Sequence, residues 1–249
     1  MTKKKLSNQM TFWEHIDELR YRIIACLLVF FVSTLVSYFF IDDILLFIRQ
    51  PIIKVINNNS NIQEAFKGIM APFFLSISTS LYSGFFLSLP FIIYSILRFI
   101  FPAMRKKNFF FLSLTIFFSI LLFIVGVFLS YEVLFPFSML FLSTFVPSGG
   151  EQEIPLFIFV NEYVSLIFSV MILVGLVFQL PIIALFLAKL KLINSKTLSG
   201  KRKYAILSSF ILSAIITPPD VISQIILSIP ILILYEISIL IVKIFNNNE

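Results

Sequence analysis

Lys201-Arg202-Lys203-Tyr204-Ala205-Ile206-Leu207-Ser208-Ser209-Phe210-Ile211-Leu212-Ser213-Ala214-Ile215-Ile216-Thr217-Pro218-Pro219-Asp220 is the stretch that decides how this chain is threaded. Three basic residues open it, an apolar segment fills it and two prolines close it. A helix rises about 1.5 Å per residue, so crossing about 30 Å of hydrocarbon takes about 20 residues. Tyr204–Thr217 is short for a span. If it crosses, Tyr204–Val242 is a hairpin that turns at the prolines. If it does not, Lys201–Lys203 and the C-terminus lie on opposite sides.

Working outward, five other apolar runs have the length to span, roughly residues 23–41, 72–97, 109–131, 163–188 and 222–242. Lys and Arg collect in cytoplasmic loops, so charge can choose between the two threadings. With residues 204–217 counted as a sixth span and both termini inside, 16 of the 19 Lys and Arg residues fall on the inner side. Only Arg49, Lys54 and Lys67 are outside, and the outer segments 132–162 and 218–221 hold no basic residue. The expected fold is therefore an all-α polytopic membrane protein forming one domain over residues 1–249. Its six helices have both termini inside, with outside loops at 42–71, 132–162 and 218–221. The short fifth span requires a locally thinned bilayer or shelter among neighbouring helices.

Composition agrees with a lipid environment. Of 249 residues, 59% are hydrophobic and 13% charged, whereas a soluble domain is about 45–50% apolar and about 25% charged. One cysteine, Cys26, excludes an intrachain disulfide, and one histidine, His15, excludes a His/Cys metal cage. Neither a Ser/His pair nor paired intramembrane aspartates are present, which argues against hydrolysis. No cofactor or metal is implied. The net charge of +6 describes orientation in a membrane rather than a nucleic-acid partner.

Residues 1–22 are polar and basic and do not read as a cleavable signal, and Glu14, Asp17 and Glu18 are unlike an organellar transit sequence. The 32 phenylalanines, with Ile, Asn and Lys in excess, fit an AT-rich genome. In the outer segment 42–71, Ile44–Ile56 and the capping-like Asn61-Ile62-Gln63-Glu64 suggest short helices on the membrane surface, and Leu134–Val146 reads similarly. Pro90, Pro181 and Pro230 each remove a backbone donor within a span, predicting kinked helices around a concave, cup-like body.

Polar side chains within the spans are functional candidates because they are costly in hydrocarbon. Gln179, two residues before Pro181, could bond the carbonyl that proline frees or hold another helix. Glu236 is either a packing residue or a working carboxylate, and Asp220 reads as an N-cap of the last span. His15 most simply bonds locally. Glu14, Asp17 and Glu18 run against the positive sign of the inner face. They either pair with Arg20 and Arg22 three or four residues apart on a helix, or present carboxylates to a basic ligand.

Five motifs, in order, resemble a known family. They are His15-Ile16-Asp17-Glu18-Leu19-Arg20-Tyr21-Arg22; Ala71-Pro72-Phe73-Phe74; Leu89-Pro90 leading to Phe99-Ile100-Phe101-Pro102; Gly175-Leu176-Val177-Phe178-Gln179-Leu180-Pro181; and Thr217-Pro218-Pro219-Asp220-Val221-Ile222-Ser223-Gln224 with Ile229-Pro230 and Leu234-Tyr235-Glu236. Together they resemble TatC, the multispanning component of the twin-arginine protein translocase, in a form close to the alphaproteobacterial and mitochondrial members.

The resemblance implies a non-enzymatic receptor for twin-arginine signal peptides on folded cargo, moved across an energised membrane. It places signal-peptide contacts at Glu18, Arg20, Phe99, Pro102 and Asn108, and a contact with single-span TatA/TatB-like partners at Gln179. Self-association is also expected. Pro51, Pro90, Pro181, Asp220 and Glu236 stand as structural or functional positions. Two positions depart from the family pattern. Asn108 occupies the place of the family's second arginine-binding carboxylate, and Gln179 that of a frequent Glu. The expected membrane is the mitochondrial inner membrane, with the gene in the organelle; a bacterial plasma membrane and a plastid membrane are the alternatives. The rival reading is a small secondary transporter that uses Glu236 or Gln179.

Overall fold

The computed structural model describes residues 12–58, 62–100, 109–143, 156–217 and 221–246. Ten α-helices are described: α1 Phe12–Phe39, α2 Ile41–Asn58, α3 Ala71–Ile100, α4 Phe109–Leu129, α5 Phe135–Ser143, α6 Val160–Val177, α7 Leu180–Lys189, α8 Ser195–Gly200, α9 Arg202–Ile216 and α10 Val221–Asn246. Five helical stretches among the described residues are long and apolar enough to cross a membrane: Trp13–Phe39, Ala71–Ile100, Phe109–Phe141, Val160–Lys189 and Val221–Phe245. The fifteen-residue α9, at about 1.5 Å per residue, reaches only about 22 Å.

The all-α architecture stands, with one short strand pairing added where helices were expected. Strands β1 (Ile62–Ala65) and β2 (Leu156–Phe159) pair in parallel, with Ile62 opposite Leu156 and Ala65 opposite Phe159. Ile62, Gln63 and Glu64 of the expected cap therefore belong to a strand, and Asn61 lies outside the described residues. Nothing local to four residues reveals a partner more than ninety positions away. The surface helix expected at Leu134–Val146 also differs: a π turn at Ser130–Leu134 carries α4 into α5 without interruption. The extra residue in that turn lets the third apolar helix pass the point where Glu132 suggested an end. In the outer segment, α2 covers the expected surface helix.

Prolines act unequally. Pro90 and Pro230 sit inside the unbroken helices α3 and α10. Pro181 does more, because it sits in the first turn of α7, where a missing N–H costs nothing, and the fourth apolar stretch is broken at Phe178 and Gln179. The α6 helix forms the centre, with Val164, Ile167 and Val174 fully buried and joined by Leu134 and Leu227. Its crossing with α4 depends on two glycines. A Cβ on Gly126 would lie 3.1 Å from the Cα of Gly175, and one on Gly175 would lie 2.7 Å from Cζ of Phe123.

At the other extreme, α1 leans almost entirely on α3. Thr34 meets Gly84 so closely that a Cβ on the glycine would fall 2.6 Å from the Thr34 Cα. Buried Ser37, Thr79 and Ser80 surround the crossing, and the Thr34 hydroxyl donates 2.9 Å back to the Phe30 carbonyl. Small residues allow backbones to approach in lipid, where dispersion and hydrogen bonds replace the hydrophobic drive.

Candidate functional site

Near the N-terminal end of α1, residues one helical turn apart converge. Glu18 accepts from Arg22 Nε at 3.0 Å and from Arg22 Nη2 as well, an i,i+4 pair that the helix repeat sets. His15 lies on the same face, with Nδ1 3.9 Å from Glu18 Oε2, and its ring stacks on Phe99 of α3 at a centroid distance of 4.2 Å and an angle of 5°. Glu18 Oε2 itself is buried and has no hydrogen-bond partner among the described residues. A buried acceptor left open is uncommon enough to ask what fills it.

Of the expected contacts, Glu18 and Phe99 are brought together through His15. Arg20 is exposed. The arginine engaged with Glu18 is Arg22, whose role was legible in the i,i+4 spacing. The part played by His15 was not, because its partner is 84 residues away. Pro102, Asn108 and Asp220 lie outside the described residues. On the N-terminal side of Thr34 in α1, α1 and α3 bound an apolar groove of about 590 Å³ whose only charged lining residue among the described residues is Arg22.

Gln179 is occupied within the chain. Its Nε2 donates to the Ser119 carbonyl at 3.0 Å, and its Oε1 accepts from the Ser119 hydroxyl, tying the α6–α7 break to α4. It therefore holds a neighbouring helix instead of the carbonyl freed by its own proline.

Glu236 is likewise paired. Arg202 Nε and Nη2 donate to its two carboxylate oxygens at 2.7 and 2.9 Å, with both side chains about half exposed. Beside it, the Tyr235 hydroxyl donates 2.8 Å to the Leu198 carbonyl. The Lys189 ammonium sits between the rings of Phe111 and Phe245, at 5.7 and 5.4 Å. These contacts staple the segment from α7 to α9 against α10, a structural task that the sequence left open for Glu236.

Two of the three basic residues expected outside are neutralised. Arg49 of α2 forms an ion pair with Glu64 of β1, and Lys67 lies 3.2 Å from Glu162. Pro51 has a specific consequence there. Lacking an N–H, it leaves the Phe47 carbonyl without its helical donor, and the Tyr131 hydroxyl donates to that oxygen at 2.5 Å while its ring stacks on Phe47.

Residues 14–230 match the family described as Sec-independent protein translocase protein (TatC). The chain belongs to the TatC family. It is 38% identical over 244 residues to the tatC-like protein ycf43 of Gracilaria tenuistipitata var. liui, covering 96% of this chain and 97% of that protein. It is 33% identical to the TatC protein of Carboxydothermus hydrogenoformans, with 96% of each covered. Among solved structures, the crystal structure of the twin-arginine translocase receptor TatC in DDM superposes with a TM-score of 0.79 at 30% identity. That match covers 92% of this chain and 99% of that one. This TatC-family chain is an integral membrane protein of twin-arginine protein transport, acting as receptor and translocase core component, and is not an enzyme. The pairing of Glu236 with Arg202 speaks against its use as the working carboxylate of the rival transporter reading.

Proposed function

We propose that Glu18 is the acceptor for the arginine pair of a twin-arginine signal peptide, with His15 and Phe99 forming the wall beside it. The observation carrying this is the buried Glu18 Oε2, which has no donor among the described residues, next to an oxygen already held by Arg22. An arriving guanidinium supplies planar, charge-assisted donors suited to a carboxylate. With Asn108 in place of a second carboxylate, we assign the compensating negative charge to Glu14 and Asp17, exposed on the same stretch of α1. Arg20, Phe99 and Pro102 belong to the same proposed contact region. Crosslinking of a signal peptide after Glu18→Ala tests the assignment: loss is expected, and undiminished crosslinking overturns it.

Six spans with both termini inside remain our reading of the threading, with α9 as the short fifth. Cysteines placed at Lys203 and Asn248 in a Cys26→Ser background should label from the same side of the membrane; labelling from opposite sides refutes the hairpin. For TatA/TatB-like partners we keep Gln179 as the contact. One amide hydrogen and one carbonyl lone pair remain beyond the Ser119 bonds. The compartment we infer from the AT-rich composition is organellar, the mitochondrial inner membrane first. Fractionation separates it from the plastid and bacterial plasma membranes.

A further inference from the structure

Lys189 lies where three apolar stretches end together. Phe109 opens Phe109–Phe141, while Lys189 and Phe245 close Val160–Lys189 and Val221–Phe245. The rings of Phe111 and Phe245 meet edge to face at 5.6 Å, and the Lys189 ammonium lies within 5.7 Å of both ring centres. The meeting of these ends puts that ammonium at the level of the headgroups of one leaflet, whichever leaflet it is. Held by two rings, it is fixed there instead of sweeping the surface as an unrestrained lysine does. A second lysine follows from packing. Ala188 of α7 and Val242 of α10 are buried in one apolar cluster, so the next residue on each helix, Lys189 and Lys243, leaves that cluster at the same level. Residues 189–201 and 237–246 contain no Asp or Glu, so nothing acidic in either segment offsets the two charges. Glu236, the nearest acid in sequence to Lys243 on α10, is taken up by Arg202.

We infer that Lys189 and Lys243 bind the phosphate of an anionic phospholipid. Phe110, Leu192 and Ile244, all exposed, adjoin these residues in sequence and offer apolar surface to the acyl chains. A soluble acidic peptide or a free anion has no use for that surface. A zwitterionic headgroup brings an ammonium of its own toward the lysines and gains less. The bound lipid reinforces the contacts that already tie α7 and α4 to α10, so the stability of this corner depends on the composition of the leaflet around it. Neither the Glu18 reading nor the direction of threading enters the inference.

The test uses the purified full-length chain in a neutral detergent. Phosphatidylglycerol and phosphatidylcholine with identical acyl chains are the probes, and native mass spectrometry measures the lipid retained. The unaltered chain should retain phosphatidylglycerol in preference. Lys243→Gln, at an exposed position, should lower that retention about fivefold, the worth of one lysine near an anionic leaflet, and leave phosphatidylcholine unchanged. Lys189→Gln should do the same, and Lys189→Arg, which keeps the charge and stacks on aromatic rings, should retain the lipid. Lys196→Gln, exposed on α8 in the same basic segment, should leave retention nearly unchanged. Phosphatidylglycerol should raise the unfolding midpoint of the unaltered chain more than that of Lys243→Gln. Equal retention of the two lipids overturns the inference. So does an equal loss in Lys196→Gln, because the attraction then belongs to the whole basic segment and not to a site. Displacement of the lipid by inorganic phosphate at matched concentration also overturns it, since the lysines then read a free anion. If Lys189→Gln fails to fold, the comparison of Lys243→Gln with Lys196→Gln decides.

Discussion

The Tyr131 hydroxyl occupies the place of the donor that Pro51 lacks, bonding the Phe47 carbonyl at 2.5 Å. The proline in α2 and the tyrosine in the third apolar helix are thus two halves of one contact. Tyr131→Phe should cost about 0.5–1.5 kcal/mol, the net worth of one such hydrogen bond. Pro51→Ala restores an N–H to α2, so the double variant should be less destabilised than the sum of the single changes. Unfolding midpoints of the four proteins in one detergent measure the coupling, and strict additivity would dissolve the connection.

Gly84→Val should detach α1 from α3. The added Cβ meets Thr34 main-chain atoms at 2.6 and 2.7 Å, and backbone cannot swing aside as a side chain can. A loss of about 1–3 kcal/mol is expected from overpacking. Thr34→Gly should not rescue it, because the Cα and N of residue 34 remain. Protease sensitivity of α1 in detergent is the readout.

Much of this arrangement was legible before any coordinates. Apolar run length reported the five long helices, because a bilayer sets the length of what crosses it. The Glu18–Arg22 pair followed from helix periodicity. What escaped were contacts between distant segments: the β1–β2 pairing, the stacking of His15 on Phe99 and the Arg202–Glu236 pair. Depth along a span can be estimated from sequence, but the direction a side chain faces depends on neighbours the sequence does not place. Glu236 was ambiguous for that reason. The continuation of α4 through Glu132 was missed because a π turn has no compositional mark.

Arg202→Glu should loosen the segment from α7 to α9 by facing Glu236 with a like charge. The reversed pair Arg202→Glu with Glu236→Arg should restore it. Thiol labelling rates at Lys191→Cys in a Cys26→Ser background report the difference, and an unchanged rate in the single variant would remove the staple. Glu236→Gln should retain export of a folded reporter at all external pH values tested, contrary to what a proton-coupling carboxylate would do.

Gln179→Leu removes both bonds to Ser119 and should cost about 0.6–2 kcal/mol, in the range of polar contacts between membrane helices. If Gln179 also meets a partner helix, copurification of that partner should fall by more than the Ser119→Ala variant lowers it. Equal losses would make the residue an internal tie alone.

The dependence of α1 on α3 also sets a timetable for synthesis. Thr34 leaves the ribosome about 50 residues ahead of Gly84, a delay of several seconds at about 5–20 residues per second. Through that interval the newborn first helix has no companion from its own chain, and the polar groups of Ser37 and Thr34 face whatever surrounds them. Its safekeeping falls to the insertion machinery, and the third helix is the moment of release.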